Sequence, residues 1–145
     1  MKKNLKNEKG ITLITLMITI VIMAILVGFA VSNLDTGTDI RNYNYMCADI
    51  ELLEAKIMTH YNENGSIPTT GNAIDITSIT TLVDQVSSHD NDKYYQIDIS
   101  KLYNITLNYG RGTESDDIYI INEQSHEVYY LKGAYYEDTL YHTEM

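Results

Sequence analysis

Four histidines, one cysteine and two short acidic runs are the side chains of this 145-residue sequence that could hold a metal ion or move a proton. His60, His89, His126 and His142 lie too far apart to form a ligand pair at helical or hairpin spacing, and each is expected at the surface. Cys47 stands alone, which excludes an internal disulfide, a paired-cysteine zinc site and an iron–sulfur cluster. Its place on or beside a helix face suits a small hydrophobe. His89-Asp90-Asn91-Asp92 and Glu114-Ser115-Asp116-Asp117 crowd oxygens onto predicted loops, the ligand type that calcium takes. Calcium needs six or more oxygens arranged in space, so Glu114, Asp116 and Asp117 are candidate ligands whose ordinary role is to solvate a loop. No Gly-x-Ser-x-Gly elbow, phosphate-binding loop or His-Glu-x-x-His occurs, so the chain is expected to be neither an enzyme nor the carrier of a cofactor.

Composition narrows the class. Charged residues make up 21% and the hydrophobic set 44%, ordinary globular usage, so part of the chain must fold. The formal charge of −10 repels phosphate backbones, and no direct contact with nucleic acid is expected. There is no Trp and one Phe, but there are 13 Tyr, all from residue 43 onward. That asymmetry predicts two different surroundings for the two parts of the chain.

The elements that position these groups begin with the first 31 residues. Lys2, Lys3, Lys6 and Lys9 stand against Glu8 alone, and Gly10 is followed at once by 21 residues, Ile11 to Val31, without an ionisable side chain. As a helix this run is about 30 Å long, the thickness of a bilayer core. Lysines before it and acids from Asp35 onward predict a single pass of the cytoplasmic membrane, N-terminus inside and the remainder outside. The apolar run is longer than a cleaved secretory signal's core and keeps Leu, Ile and Met to its end, so the span is expected to be retained.

The junction Lys9-Gly10-Ile11-Thr12-Leu13-Ile14 resembles the N-terminal signal of type IV prepilins and of the pseudopilins of type II secretion. In that family a prepilin peptidase cuts after the glycine and methylates the new amino terminus. Carried over by position, the resemblance implies cleavage between Gly10 and Ile11, a methylated Ile11, and partners among other pilin subunits, the assembly machinery and, before assembly, membrane lipid. The family's first mature residue is usually Phe, and here it is Ile11. Its fifth is normally Glu, a carboxylate held to neutralise a neighbouring subunit's amine, and here it is Thr15. A first subunit has no earlier amine to neutralise, so the departure at Thr15 points to a minor or tip-type subunit. Some pseudopilins hold calcium in loops near the C-terminus, so the resemblance points to the same role for Glu114, Asp116 and Asp117. Thr12, Thr15 and Thr19 share one helix face, where each hydroxyl can bond its own i−4 carbonyl or, with Gly28, form a close helix–helix seam.

The expected fold is α+β and pilin-like: a long N-terminal helix, its first half transmembrane, packed on a small antiparallel sheet. The divisions are a leader (1–10), a membrane helix (11–32), its extracellular continuation (33–65) and a globular head (66–145). Met46, Ile50, Leu53, Ile57 and Tyr61 form one apolar face, while Asp49, Glu51, Glu54 and Lys56 are assigned to wet faces. Asp35 to Asp39 is a possible interruption, and Gly65 and Pro68 end the helix. A second helix is predicted over Ile79 to Val86, capped by Asp75 or Thr77. Alternation predicts strands at Tyr95–Ile99, Ile105–Tyr109, Ile118–Ile121 and Glu127–Leu131, with an exposed loop over 110–117 and a hairpin turn over 122–126. Tyr95, Tyr109, Tyr119 and Tyr129 are assigned to the core, and the pairs Tyr94-Tyr95, Tyr129-Tyr130 and Tyr135-Tyr136 put one ring on each face of a strand, so some rings are expected to remain outside. The Tyr-rich tail from Tyr135 to Tyr141 has no assignment. The function implied is a structural subunit of a type IV pilus or related pseudopilus. The competing readings are a signal-anchored surface protein that never polymerises, and a pseudopilin of a secretion or DNA-uptake machine.

Overall fold

A computed structural model describes residues 6–86 and 91–145. Its elements are helix α1 (Lys6–Asn64), strand β1 (Thr69–Ile74), helix α2 (Thr80–Val83), strand β2 (Tyr94–Ile97), a single 3-10 turn (Ile99–Lys101), and strands β3 (Tyr119–Asn122), β4 (Val128–Tyr130), β5 (Ala134–Tyr136) and β6 (Thr139–Tyr141). The protein is therefore α+β, with an apolar N-terminal helical stretch followed by further helix and antiparallel sheet. It divides into two compact units between Thr38 and Asp39, and α1 contributes to both.

In the first unit the stretch Thr12–Val31 is apolar all round, with a mean hydropathy of 2.8, and none of it is buried in the protein. It is long and apolar enough to cross a membrane. The interruption anticipated at Asp35 to Asp39 is not seen: those residues are helical.

In the second unit the apolar face of α1 forms as its spacing requires. Met46, Ile50, Leu53 and Ile57 are buried, with Tyr43 one turn earlier on the same face. Tyr61, assigned to that face, is instead 40% exposed and contacts the His126 ring at 4.8 Å. The helix stops after Asn64 because Gly65 turns left-handed at φ 69° while its N–H closes on the Tyr61 carbonyl at 2.8 Å.

Strands β1 to β4 form one antiparallel sheet in sequence order, with Tyr94 opposite Asn122 and Tyr119 opposite Tyr130. The sheet is covered on both faces, and the two-residue alternation sorts its side chains between them. Ile97, Tyr119, Ile121, Val128 and Tyr130 meet the α1 stripe, whereas Tyr94, Ile120 and Tyr129 meet Ile76 and Leu82 from the segment around α2. Tyr129 and Tyr130 take opposite faces of the sheet, as alternation requires, and because both faces are covered both are buried, at 3% exposure each. Tyr135, by contrast, stays outside at 52%.

Three further expectations differ from the structure. The second helix is only Thr80–Val83, because Asp75 uses its carboxylate on the Thr77 N–H and hydroxyl in a turn that ends before the helix begins. Strand β1 was not anticipated, since Thr-Thr-Gly-Asn-Ala-Ile lacks alternation and its register is broken between Thr69 and Ala73, around Gly71 at φ 83°. Residues 105–109 form no strand, for a reason that lies in the site below. The C-terminal tail closes as the hairpin β5–β6, with Tyr135 opposite Leu140.

Candidate functional site

Two buried carboxylates organise the irregular segment 102–118. Asp49 lies on α1 four residues before Leu53, at the edge of the apolar stripe, and is 2% exposed, where sequence reading placed it in water. Its Oδ2 accepts from the Asn108 N–H at 2.9 Å, the Tyr109 N–H at 2.9 Å and the Tyr119 hydroxyl at 2.8 Å, and its Oδ1 from the Asn108 side-chain amide at 2.9 Å. The backbone donors that would have paired in a strand at Ile105–Tyr109 are spent on this carboxylate. A buried acid with no countercharge persists only when its oxygens are filled in this way. Burial and the bond to Asp49 together push the Tyr119 hydroxyl pKa well up, so Tyr119 is a fixed donor.

Asp117 does the same for the loop that follows. Its Oδ1 accepts from the Gly110 N–H at 2.8 Å and the Tyr130 hydroxyl at 2.7 Å, and its Oδ2 from the Thr113 N–H at 3.1 Å and the Thr113 hydroxyl at 2.7 Å. Burial alone would raise its pKa, but these donors outweigh it and hold the carboxyl below the ordinary carboxylate range. Gly110 sits at φ 74° directly against the Tyr119 ring, which a Cβ would strike.

The calcium candidates are therefore brought near one another in sequence but not into one site. Asp117 is turned inward and fully engaged, Glu114 pairs with Lys132 at 2.5 Å, and Asp116 is half-buried on the loop. Among the described residues no group of three or more His, Cys, Asp or Glu side chains is placed to hold a metal ion. Of the acidic run 89–92, His89 and Asp90 lie outside the described residues, and Asp92 accepts from the Asn122 amide at 2.9 Å.

The histidines also depart from expectation. His142, placed at the surface by sequence, is 1% exposed. Its Nδ1 lies 2.9 Å from the Tyr130 carbonyl and its Nε2 2.9 Å from the Thr81 hydroxyl, while its backbone N–H donates to Gln85 at 2.8 Å. These bonds tie the C-terminal hairpin to α2 and β4. Desolvation pushes the His142 pKa down, so the ring stays neutral near pH 7. Cys47 is half-buried, and burial raises its thiol pKa despite the lowering effect of Tyr43 beside it, so it is not a ready nucleophile.

A cleft of about 550 Å3 opens beside Asp117, lined among others by Asn42, Asn108, Tyr109, Arg111, Lys132 and Tyr135. The Asp117 oxygens on its floor are already taken by the Gly110, Thr113 and Tyr130 donors.

The sites read from the N-terminus belong to the first unit. Gly10 and Ile11 are helical in backbone, and their side chains lie outside the described residues. Thr15 is exposed on the apolar helix, and its carbonyl accepts the Thr19 hydroxyl at 2.7 Å, the local bond expected of a hydroxyl in such a helix. What sequence reasoning missed is Asp49. Its signal was positional: an acid within one helical turn of Met46, Ile50 and Leu53 must be either at the stripe's edge or inside it.

Compared with protein-family models, with curated proteins and with solved structures, the chain gives no match.

Proposed function

We propose that this chain is a structural subunit, of minor or tip type, of a type IV pilus or related pseudopilus filament, and a building block in place of an enzyme. One observation carries the reading: a 20-residue helical stretch, Thr12–Val31, apolar on every side and buried by nothing in its own chain, directly follows a lysine-rich segment ending in Gly10. A helix with no polar face needs lipid or other apolar helices around it. In this reading prepilin peptidase cuts after Gly10 and methylates Ile11, the span anchors the protein with its head outside, and copies or sister subunits then pack through their spans. Thr15 in place of the family's carboxylate favours a position at the filament's start. Loss of residues 1–10 removes four lysines and one glutamate and leaves a formal charge of −13, so the heads repel one another at low salt.

The test is the intact mass and N-terminal sequence of the protein from its native membrane. A chain beginning at N-methylated Ile11 is expected. A chain still carrying Met1 to Gly10 reduces it to a membrane-tethered acidic domain and removes the filament reading's main support.

A further inference from the structure

The chain contains two Asn-x-Ser/Thr sequences, Asn64-Gly65-Ser66 and Asn104-Ile105-Thr106, the acceptor pattern for attachment of sugar to an asparagine amide outside the cytoplasm. The structure treats them differently. Asn64 is the last residue of α1, and its Nδ2 is already donated to the His60 carbonyl at 3.0 Å. The next residue, Gly65, is fixed by its own bond to Tyr61. Asn104 lies on an exposed turn at φ 51°, and among the described residues its amide has no hydrogen-bond partner. Thr106 is exposed two residues on, and Tyr103 just before is 88% exposed.

The turn is also bounded in a way that suits an acceptor. Leu102 is buried on one side, and Asp49 pins Asn108 and Tyr109 on the other. Tyr103 to Thr106 is thus a four-residue tip without regular structure, held at both ends and with only Ile105 leaning on the core. A transferase must draw the acceptor into its own site with both the amide nitrogen and the +2 hydroxyl in reach. This tip can yield without unpairing a helix or a strand, whereas Asn64 could be drawn in only by breaking the end of α1.

We infer that Asn104 is a glycan acceptor and that Asn64 is not. The donor class is an oligosaccharide linked to a membrane lipid through pyrophosphate. The bond from Asn104 Nδ2 to the sugar's anomeric carbon forms as the bond from that carbon to the pyrophosphate oxygen breaks. The lipid pyrophosphate leaves with the electron pair, and the amide nitrogen gives up one proton to a base of the transferase. The inference rests on the reading above that the head lies outside the cytoplasmic membrane.

Trypsin isolates the site, since Lys101 and Arg111 bound residues 102–111 and Lys56 and Lys93 bound the stretch containing Asn64. In the full chain from native envelopes, the 102–111 peptide should be heavier by whole sugar units and the 57–93 peptide unchanged. Asn104→Gln and Thr106→Val should abolish the added mass, Thr106→Ser should keep it, and Asn64→Gln should leave it as it was. Trypsin applied to cells stripped to an intact cytoplasmic membrane reads topology separately. A head cleaved from those cells with an unmodified 102–111 peptide overturns the Asn104 assignment alone, as does sugar found only on Asn64. A head protected in those cells but cleaved once the cytoplasmic membrane is opened overturns the topology, and the assignment with it.

Discussion

Two stretches of α1 solve opposite problems with similar residues. From Thr12 to Val31, Leu13, Ile14, Ile22, Met23, Leu26 and Phe29 are all more than half exposed, and at the helical repeat they are spread around the whole axis. From Tyr43 to Ile57 the apolar residues keep to one stripe, and Met46 and Leu53 are 0% exposed. A stripe is matched by one partner surface, here the sheet of the same unit. An all-round apolar surface is matched only by a surrounding apolar medium. The difference teaches that α1 carries two surface patterns along its length, one covered by the sheet of its own unit and one long and apolar enough to cross a membrane, and that the distinction is encoded in whether polar residues interrupt the apolar pattern.

The comparison breaks first at Asp49. Replacing it by Ala leaves the Asn108 and Tyr109 N–H groups and the Tyr119 hydroxyl without their acceptor, so the head should lose at least about 3 kcal/mol of stability. Urea unfolding of the full chain in detergent, followed by tyrosine near-ultraviolet circular dichroism, reads this directly. An unchanged midpoint would show that water replaces the carboxylate and that the segment 105–110 is not held by it.

Next in size is a matched pair of truncations. Leu53→Ala opens a void in the α1–sheet core and should cost about 2–5 kcal/mol in the same measurement. Leu16→Ala removes the same atoms from a side chain that is 60% exposed and should change the stability by less than about 0.5 kcal/mol. Equal effects would mean that the two stretches share one core.

The smallest effect is on pH. The His142 pKa is lowered in the folded head, so protonation favours the unfolded chain, and the stabilisation is complete above 6.5 and lost as pH falls below it. The slope contributed by this one proton cannot exceed about 1.4 kcal/mol per pH unit. Asp117 adds nothing in that window, because its lowered pKa confers stability that is lost only below the ordinary value of 3.8. Glu54 acts in the opposite sense nearer 4.5, since burial and the nearby Glu144, Glu127 and Glu51 raise its pKa. The difference between the protein and His142→Gln therefore isolates the histidine. A variant as pH-sensitive as the parent would place the titration elsewhere.

The parts legible in the sequence are those set by local pattern. The apolar run, the Met46–Ile57 stripe, the Gly65 stop, β2 and the β3–β4 hairpin follow from periodicity and turn chemistry. The parts that were not legible are set by single long-range bonds. Ile105-Thr106-Leu107-Asn108-Tyr109 alternates like a strand, yet its donors are captured by Asp49 about sixty residues earlier in the chain. His142 looks like any tail histidine until the hairpin seats it between Thr81 and Tyr130. At the N-terminus the expectation of processing between Gly10 and Ile11 rests on the junction between charge and apolar run and not on tertiary contact, so the fold does not bear on it and the N-terminal sequence of the native protein decides it.

What surrounds the apolar stretch decides between a filament subunit and a lone anchored head, and photo-crosslinking from residue 22 of the full chain in native membranes tests that most directly. Crosslinks to lipid and to the apolar spans of other copies or sister subunits, multiplying as filaments assemble, are the predicted result. Crosslinks confined to lipid under assembling conditions, or made to the chain's own head, would contradict it.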